Sequence, residues 1–234
     1  MPFGKSGRNG LAVTGRLISP EVAMTSGATG KILPRLGGRL CLDFVNTIDP
    51  RLKAPREEFL LSYGSLLAWA EFVGILTRAA RSDLVIAGER HPRVAKQIHR
   101  RALALREGLF ALFSRAPGAQ EGLQALNTEI RLTSVELHVE PEGVAYALAW
   151  DGDSKVLGPI VRSAIELLTS SEVRRVRVCA GDGCGWLFLD SSRTRRRRWC
   201  SMAICGNRAK AKRSRVRSRA RPGTASQTPA GLRR

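Results

Sequence analysis

The sequence predicts a mainly α chain with a small β-hairpin (α+β), built as an N-terminal helical domain plus a small C-terminal four-cysteine zinc-binding domain. Three observations carry this. Apolar residues recur at helical spacing over several stretches between residues 31 and 170. The period shortens to alternation between about 134 and 150, with Pro141-Glu142-Gly143 as the turn. Four of the five cysteines then fall in two matched C-x4-C pairs, Cys179/Cys184 and Cys200/Cys205. The expected organisation is a flexible segment over 1–30 and a helical domain over 31–172. A cysteine module with a basic helix follows over 173–217, and a disordered basic tail over 218–234.

Taken in order, Leu36–Ile48 is the first apolar segment. Cys41, Leu42, Val45 and Ile48 fit a short helix, although the length also admits a strand; Gly37-Gly38 turns into it and Asp49-Pro50 stops it. A helix is predicted over Ser65–Arg78 from Leu66, Leu67, Trp69, Phe72, Val73 and Leu76. Another runs over Arg93–Ser114, with Ile98, Leu103, Leu105, Leu109 and Leu112 inward and Pro117-Gly118 ending it. Gln120–Arg131 is a shorter helix. Val135–Val139 and Val144–Trp150 alternate as the hairpin strands. Val156–Leu168 is helical, with Pro159 tolerated near its first turn, and Val173–Val178 is a short strand leading into Cys179.

Charge is distributed unevenly. The chain carries +19, of which residues 177–234 contribute +14 from 16 basic and two acidic residues. Such asymmetry points to a polyanionic partner, nucleic acid ahead of an anionic membrane. No apolar run approaches the roughly 20 residues needed to span a bilayer, and the N-terminus lacks a hydrophobic signal block. The expected setting is the cytoplasm, in association with the nucleoid. In a reducing compartment, paired cysteines serve more often as metal ligands than as disulfides.

Structural zinc is tetrahedral and commonly held by four thiolates whose paired spacing lets two sulfurs face one ion. Cys179, Cys184, Cys200 and Cys205 meet that pattern, and Gly181, Gly183 and Gly185 supply a compliant loop. Disulfides and unligated buried thiols are the alternatives. A catalytic zinc would use His or a carboxylate and keep an open position. His91, His99 and His138 instead lie far upstream, as surface or core-edge residues, and Cys41 reads as a buried small hydrophobe. Trp186, Leu187, Phe188 and Trp199 offer a miniature core for the module, or stacking platforms for bases.

Zn²⁺ with four thiolates retains a charge of about −2, which one or two arginines could offset. The remainder of the basic set needs a polyanion. Arg193, Arg195, Arg196, Arg197 and Arg198 occupy the loop between the pairs. Arg208, Lys210, Lys212, Arg213, Arg215 and Arg217 follow the last cysteine, on a helix if 202–217 is helical. A generic solvated basic tail is the plainer alternative.

The stretch from Cys179 to Arg208, with CGWLFLD, RRRRWCSM and the Cys205-Gly206-Asn207-Arg208 tetrapeptide, resembles the CGNR zinc-finger family. Upstream, 37-GGRLCLDFVNT-47 resembles the start of the helical ABATE domain that precedes this finger, a domain connected with stress response and ligand sensing. The resemblance covers roughly residues 33–215. It implies a bacterial DNA-binding transcription regulator whose zinc ligands are Cys179, Cys184, Cys200 and Cys205. Asn207 and Arg208 fall in the family motif, either bracing the turn or contacting backbone, phosphate or thiolate.

A zinc-stabilised RNA- or ribosome-associated protein is the second reading, since a basic patch does not separate duplex DNA from RNA. An enzyme is disfavoured: no nucleophile–base pair appears, and GATGK at 27–31 lacks the full phosphate-loop pattern. Asp43, Asn46 and Thr47 are polar residues in an apolar segment, placed either to line a pocket for a small-molecule effector or to stitch the core. A homodimer through the helical domain is expected, because small DNA-binding modules commonly act in pairs.

Overall fold

In the computed structural model, which describes residues 32–142 and 145–220, the ambiguous first apolar segment is a short buried helix, α1 (Leu40–Val45). The expected flexible segment over 1–30, the hairpin turn at Gly143 and the tail beyond 220 lie outside the described residues. After α1 the chain forms a two-residue ladder, β1 (Ile48–Asp49) with β2 (Glu57–Glu58), antiparallel.

The helix expected over Ser65–Arg78 is two helices. α2 (Tyr63–Phe72) begins at a reciprocal cap between Ser62 and Ser65 and stops at Gly74, whose φ of +85° is outside helical range. Thr77 then caps α3 (Arg78–Arg90) by accepting from the Ala80 N–H at 3.1 Å. α3 buries none of its residues fully, so it carries little apolar periodicity and sequence reading passed over it. α4 (Pro92–Ser114) opens with Pro in its first turn and buries Ala95, Ile98, Ala102, Leu105, Leu109 and Phe113. Leu103 and Leu112, expected inward, are half-buried.

α5 (Ala119–Ser134) returns antiparallel beside α4. The two backbones meet at Gly108 and Gly122, where a Cβ on Gly122 would lie 2.4 Å from the Gly108 carbonyl oxygen. β3 (Leu137–Glu142) and β4 (Ala145–Trp150) form the hairpin, shifted two residues along the first strand from the sequence expectation. α6 (Ser154–Thr169) follows, with Pro159 one turn later than expected, at its sixth residue.

A 3₁₀ turn (Ser171–Arg175) delivers the chain to β5 (Val176–Val178), which pairs antiparallel with β6 (Leu187–Leu189). A π-helical turn (Met202–Gly206) then leads into α7 (Asn207–Ala220), so residues 218–220 continue a helix where a disordered tail was expected. One apolar core runs through both parts of the chain: Phe44, Trp69, Leu105 and Leu157 belong to the same buried cluster as Leu187, Phe188 and the four paired cysteines.

Two buried arginines brace the segment that meets the cysteines. Arg106 of α4 grips Glu58 with two hydrogen bonds at 2.6 and 2.7 Å. Arg51 pairs with Glu107 at 2.7 Å, donates to the Val45 carbonyl at 2.8 Å and lies 4.2 Å over the Phe110 ring. Multiple partners of this kind are what make a buried guanidinium tolerable.

Gly122→Ala tests the helix crossing. Alanine favours an isolated helix by about 1 kcal/mol, but here its methyl meets backbone, so the expected result is a net loss of about 1–3 kcal/mol in denaturant unfolding.

Candidate metal centre and nucleic-acid interface

β5 and β6 are joined by a tight loop that carries Cys179 and Cys184. The Cys179 N–H donates to the Trp186 carbonyl at 2.8 Å and the Cys184 N–H to the Gly181 carbonyl at 3.1 Å, which turns both side chains to the same side. Cys200 precedes the π-helical turn and Cys205 lies within it; the start of the turn is capped by Ser201 accepting from the Ile204 N–H. All four sulfurs lie within 4.8 Å of one another and are buried. Two of the separations are 3.9 Å (Cys184–Cys200) and 3.7 Å (Cys200–Cys205). Four thiolates at about 2.3 Å from one Zn²⁺ would stand about 3.8 Å apart, whereas a disulfide needs about 2.05 Å.

The donor set itself calls for a cation. Hydrogen bonds from the Cys184 and Cys200 side chains pull the Cys179 thiol down to about 2, helped by the N–H groups of Cys200 and Gly181. The side-chain hydrogen bonds with Cys179 push Cys184 and Cys200 up, and burial pushes Cys205 up. Four thiolates this close would repel one another, and a divalent ion among them would offset that charge. Cys41, by contrast, is a lone thiol held up at about 12 by burial, consistent with a packing role.

The three loop glycines have separate jobs. A Cβ at Gly181 would lie 2.8 Å from the Cys205 sulfur. One at Gly183 would lie 2.5 Å from Lys53 Cβ, and one at Gly185 would lie 2.4 Å from Leu52 Cγ. Gly183 and Gly185 also hold φ of +71° and +67°. Residues 51–53 of the helical body therefore lie directly against the cysteine loop. The Arg51 and Leu52 N–H groups donate to the carbonyls of Cys184 and Gly183 at 2.8 and 2.9 Å, and Trp186 Nε1 donates to the Ile48 carbonyl at 3.0 Å.

Asn46 completes this seam. Its carboxamide donates to the Leu187 carbonyl and accepts from the Leu187 N–H, both at 2.8 Å, and so acts as a short extra strand along β6. Thr47 donates to the Phe44 carbonyl, and Asp43 accepts from the Gly37 N–H at 2.7 Å. Asp43, Asn46 and Thr47 are thus buried and occupied with internal hydrogen bonds; the described cavities are lined by other residues. The larger of these, a groove of about 800 Å³, lies between Pro34, Leu36 and Pro50 of the body and Trp186, Trp199 and Arg208 of the module.

The arginines divide by environment. Arg197 is tied into the module. Its N–H donates to Asp190, its guanidinium reaches the carbonyls of Trp199 and Cys200, and it lies 4.6 Å over the Phe188 ring. Arg197, expected on the nucleic-acid face, is thus half-buried and has its guanidinium engaged within the module. Asp190, fully buried, is the hub that sequence reading missed. Burial would raise its pKa, but hydrogen bonds from Ser192 and the Arg197 N–H, with Arg177 nearby, hold it below the usual carboxylate range. Arg193, Arg195, Arg196 and Arg198 are exposed, Arg198 lying over Trp199 at 5.4 Å. Trp186 and Phe188 are interior, while Trp199 is half-buried.

On α7, Arg208, Lys210, Lys212, Arg213, Arg215 and Arg217 are all exposed; Lys212 reaches Asp182 at 2.9 Å. Asn207 closes the π-helical turn through its backbone N–H. The Asn207 side chain and Arg208 hold no hydrogen bond among the described residues. His99 bonds the Leu60 carbonyl at 2.7 Å, while His91 and His138 are exposed; none is near the cysteines.

A four-thiol metal site fused to a helical body, with a basic helix issuing from its last cysteine, is the build of a zinc-finger regulator. The ABATE family, described as "Putative stress-induced transcription regulator", matches residues 38–171, and the CGNR zinc finger matches residues 175–218. The first match alone covers more than half of the chain, which belongs to the ABATE family and carries a CGNR zinc finger. These families comprise regulators, not enzymes. No curated protein sequence matches the chain. Among the described residues, no helix is long and apolar enough to cross a membrane.

Two outcomes check this seam. Asn46→Ala leaves the buried N–H and carbonyl of Leu187 without partners and should cost about 2–4 kcal/mol, read as a lower thermal transition of the whole chain. Burial also pushes the Asp43 carboxyl from 3.8 up to about 6, against the Gly37 hydrogen bond and Arg35 at 3.8 Å. The folded state therefore keeps that proton where the unfolded chain has lost it. Its stabilising effect is full below pH 4 and is lost as pH rises through 6, by up to about 3 kcal/mol. Asp43→Asn keeps an acceptor for Gly37 and should flatten the stability profile between pH 4 and 6; an unchanged slope would refute the assignment.

Proposed function

We propose that the chain is a zinc-dependent DNA-binding transcription regulator. One structural Zn²⁺, held by Cys179, Cys184, Cys200 and Cys205, braces the C-terminal module of residues 173–217, and α7 with the adjacent arginine loop meets DNA. The helical part over 31–172 is the sensing and assembly platform.

The observation that carries this reading is the surface of α7. Arg208, Lys212 and Arg215 recur on one side of the helix, and Lys210, Arg213 and Arg217 on the opposite side. A helix with two opposed basic stripes suits a groove with a phosphate backbone on each flank. At about 21 Å long it can lie in the major groove, about 12 Å wide. Arg193, Arg195, Arg196 and Arg198 extend the same charge from the loop. Phosphate contacts of this kind position the module and make binding salt-dependent. Arg197 serves a different purpose, fixing the loop to Asp190 and Phe188.

Elemental analysis should find one zinc per chain, and Cys205→Ser should abolish retention of the metal. Chelation should remove binding to promoter DNA in a gel shift; affinity that survives chelation sinks the zinc-dependent reading. Replacing Lys210, Arg213 and Arg217 together by Ala should lower the slope of log K against log salt by about 2–3, because each phosphate contact contributes about 0.9. Arg197→Ala should instead lower the thermal transition with a smaller effect on that slope. Structured RNA that outcompetes duplex DNA at matched salt would replace DNA with RNA as the partner.

A further inference from the structure

The register of β3 and β4 sorts the hairpin into two unlike faces. Leu137, Val139 and Pro141 stand opposite Trp150, Leu148 and Tyr146, so all six share one face. The other face carries His138, Glu140 and Glu142 opposite Ala149, Ala147 and Ala145. A two-stranded ribbon is marginal in water unless its apolar face is covered. The body covers only the root, where Trp150 sits against Gly158 of α6, so close that a Cβ there would meet the indole at 2.5 Å. Beyond the root the face is open: Tyr146 is 76% exposed, Val139 61%, Leu137 41% and Leu148 39%.

We propose that a second copy of this chain covers this face, hairpin against hairpin about a two-fold axis. A single stripe that packs on its own copy is what an isologous dimer requires. The stripe exposes on the order of 400 Å² of apolar surface per copy. In an interface about 60% apolar, that scales to roughly 1,300 Å² in all, within the range of stable dimers of about 1,200–2,000 Å².

Charge selects the same place. Two copies of a +19 chain repel over most of their surfaces. Residues 135–153 hold five acidic residues and no Lys or Arg, so the basic repulsion is absent there. Glu140 and Glu142 occupy the opposite face of the ribbon and do not confront their copies across the stripe. The dimer presents two basic helices to a polyanion, but its existence does not depend on what those helices bind.

Light scattering or sedimentation of the full chain at micromolar concentration should give twice 25.6 kDa. Combining Val139→Lys with Tyr146→Glu puts charge in the centre of the stripe. It should raise the dimer dissociation constant by on the order of 100-fold or more, leaving a folded monomer. Glu142→Lys, on the polar face, should remain dimeric. Should the double variant lose stability, Tyr146→Ser, which adds no charge at the most exposed position, is held to the same criterion of a weakened dimer. A monomeric wild-type chain, or a dimer indifferent to changes in the stripe, overturns the proposal.

Discussion

The pairing of residues 46–52 with the first cysteine loop is the constraint on which the C-terminal module depends. A segment of about forty residues buries too little apolar surface to hold a fold alone. Here it borrows the helical body's core through Val176, Leu187 and Phe188. It also has its outer edge satisfied by Asn46, Arg51 and Leu52. Each contact removes a buried backbone group from the list of those needing water. The four-cysteine cluster closes one end of the module and the body closes the other. Fixing the β5–β6 hairpin from both sides also fixes where the last cysteine releases α7.

Positive charge in this region falls into two settings separated by burial. The Arg197 guanidinium sits among carbonyls and over an aromatic ring, while its backbone N–H holds the buried Asp190 carboxylate. Among the described residues, the six exposed lysines and arginines from Arg208 to Arg217 have one acidic partner, Asp182. Surface pairs of that kind contribute little to stability, so holding the module together does not account for them. Their mutual repulsion is a cost in the free protein that a bound polyanion would relieve. The body's own arginines behave differently: Arg51, Arg101 and Arg106 are each matched to a glutamate.

How much of this was legible in the sequence follows from which signals are local. The four cysteines were readable because ligand spacing is a local property. α4 and α6 were readable because a long amphipathic stripe repeats many times. α3 was not, since a helix lying on the surface need not repeat an apolar pattern. The break at Gly74 was overridden by the apolar residues on either side of it. Asn46 stood out as a polar residue among apolar ones, but its partner Leu187 is 141 positions away, and no periodicity links them. Arg197 is one of four consecutive arginines, and only its contact with Phe188 and Asp190 separates it from its neighbours. Sequence gave the composition of that loop; folding gave each member its task.

The seam also makes metal binding and the stability of the body one thermodynamic question. Arg51 joins both ends: its backbone N–H holds the Cys184 carbonyl, while its guanidinium holds Glu107 and the Val45 carbonyl. A shift of α4 at Glu107 is therefore felt at Cys184, with no intervening flexible linker. Linkage requires the converse to hold to the same extent: whatever tightens the thiolates around an ion must stabilise the arrangement of Arg51 with α4. A module joined by a loose tether would bind metal independently of the body. Here the two parts are joined through hydrogen bonds that neither can keep alone, so a displacement in the helical body has a physical route to α7 through the cysteine loop.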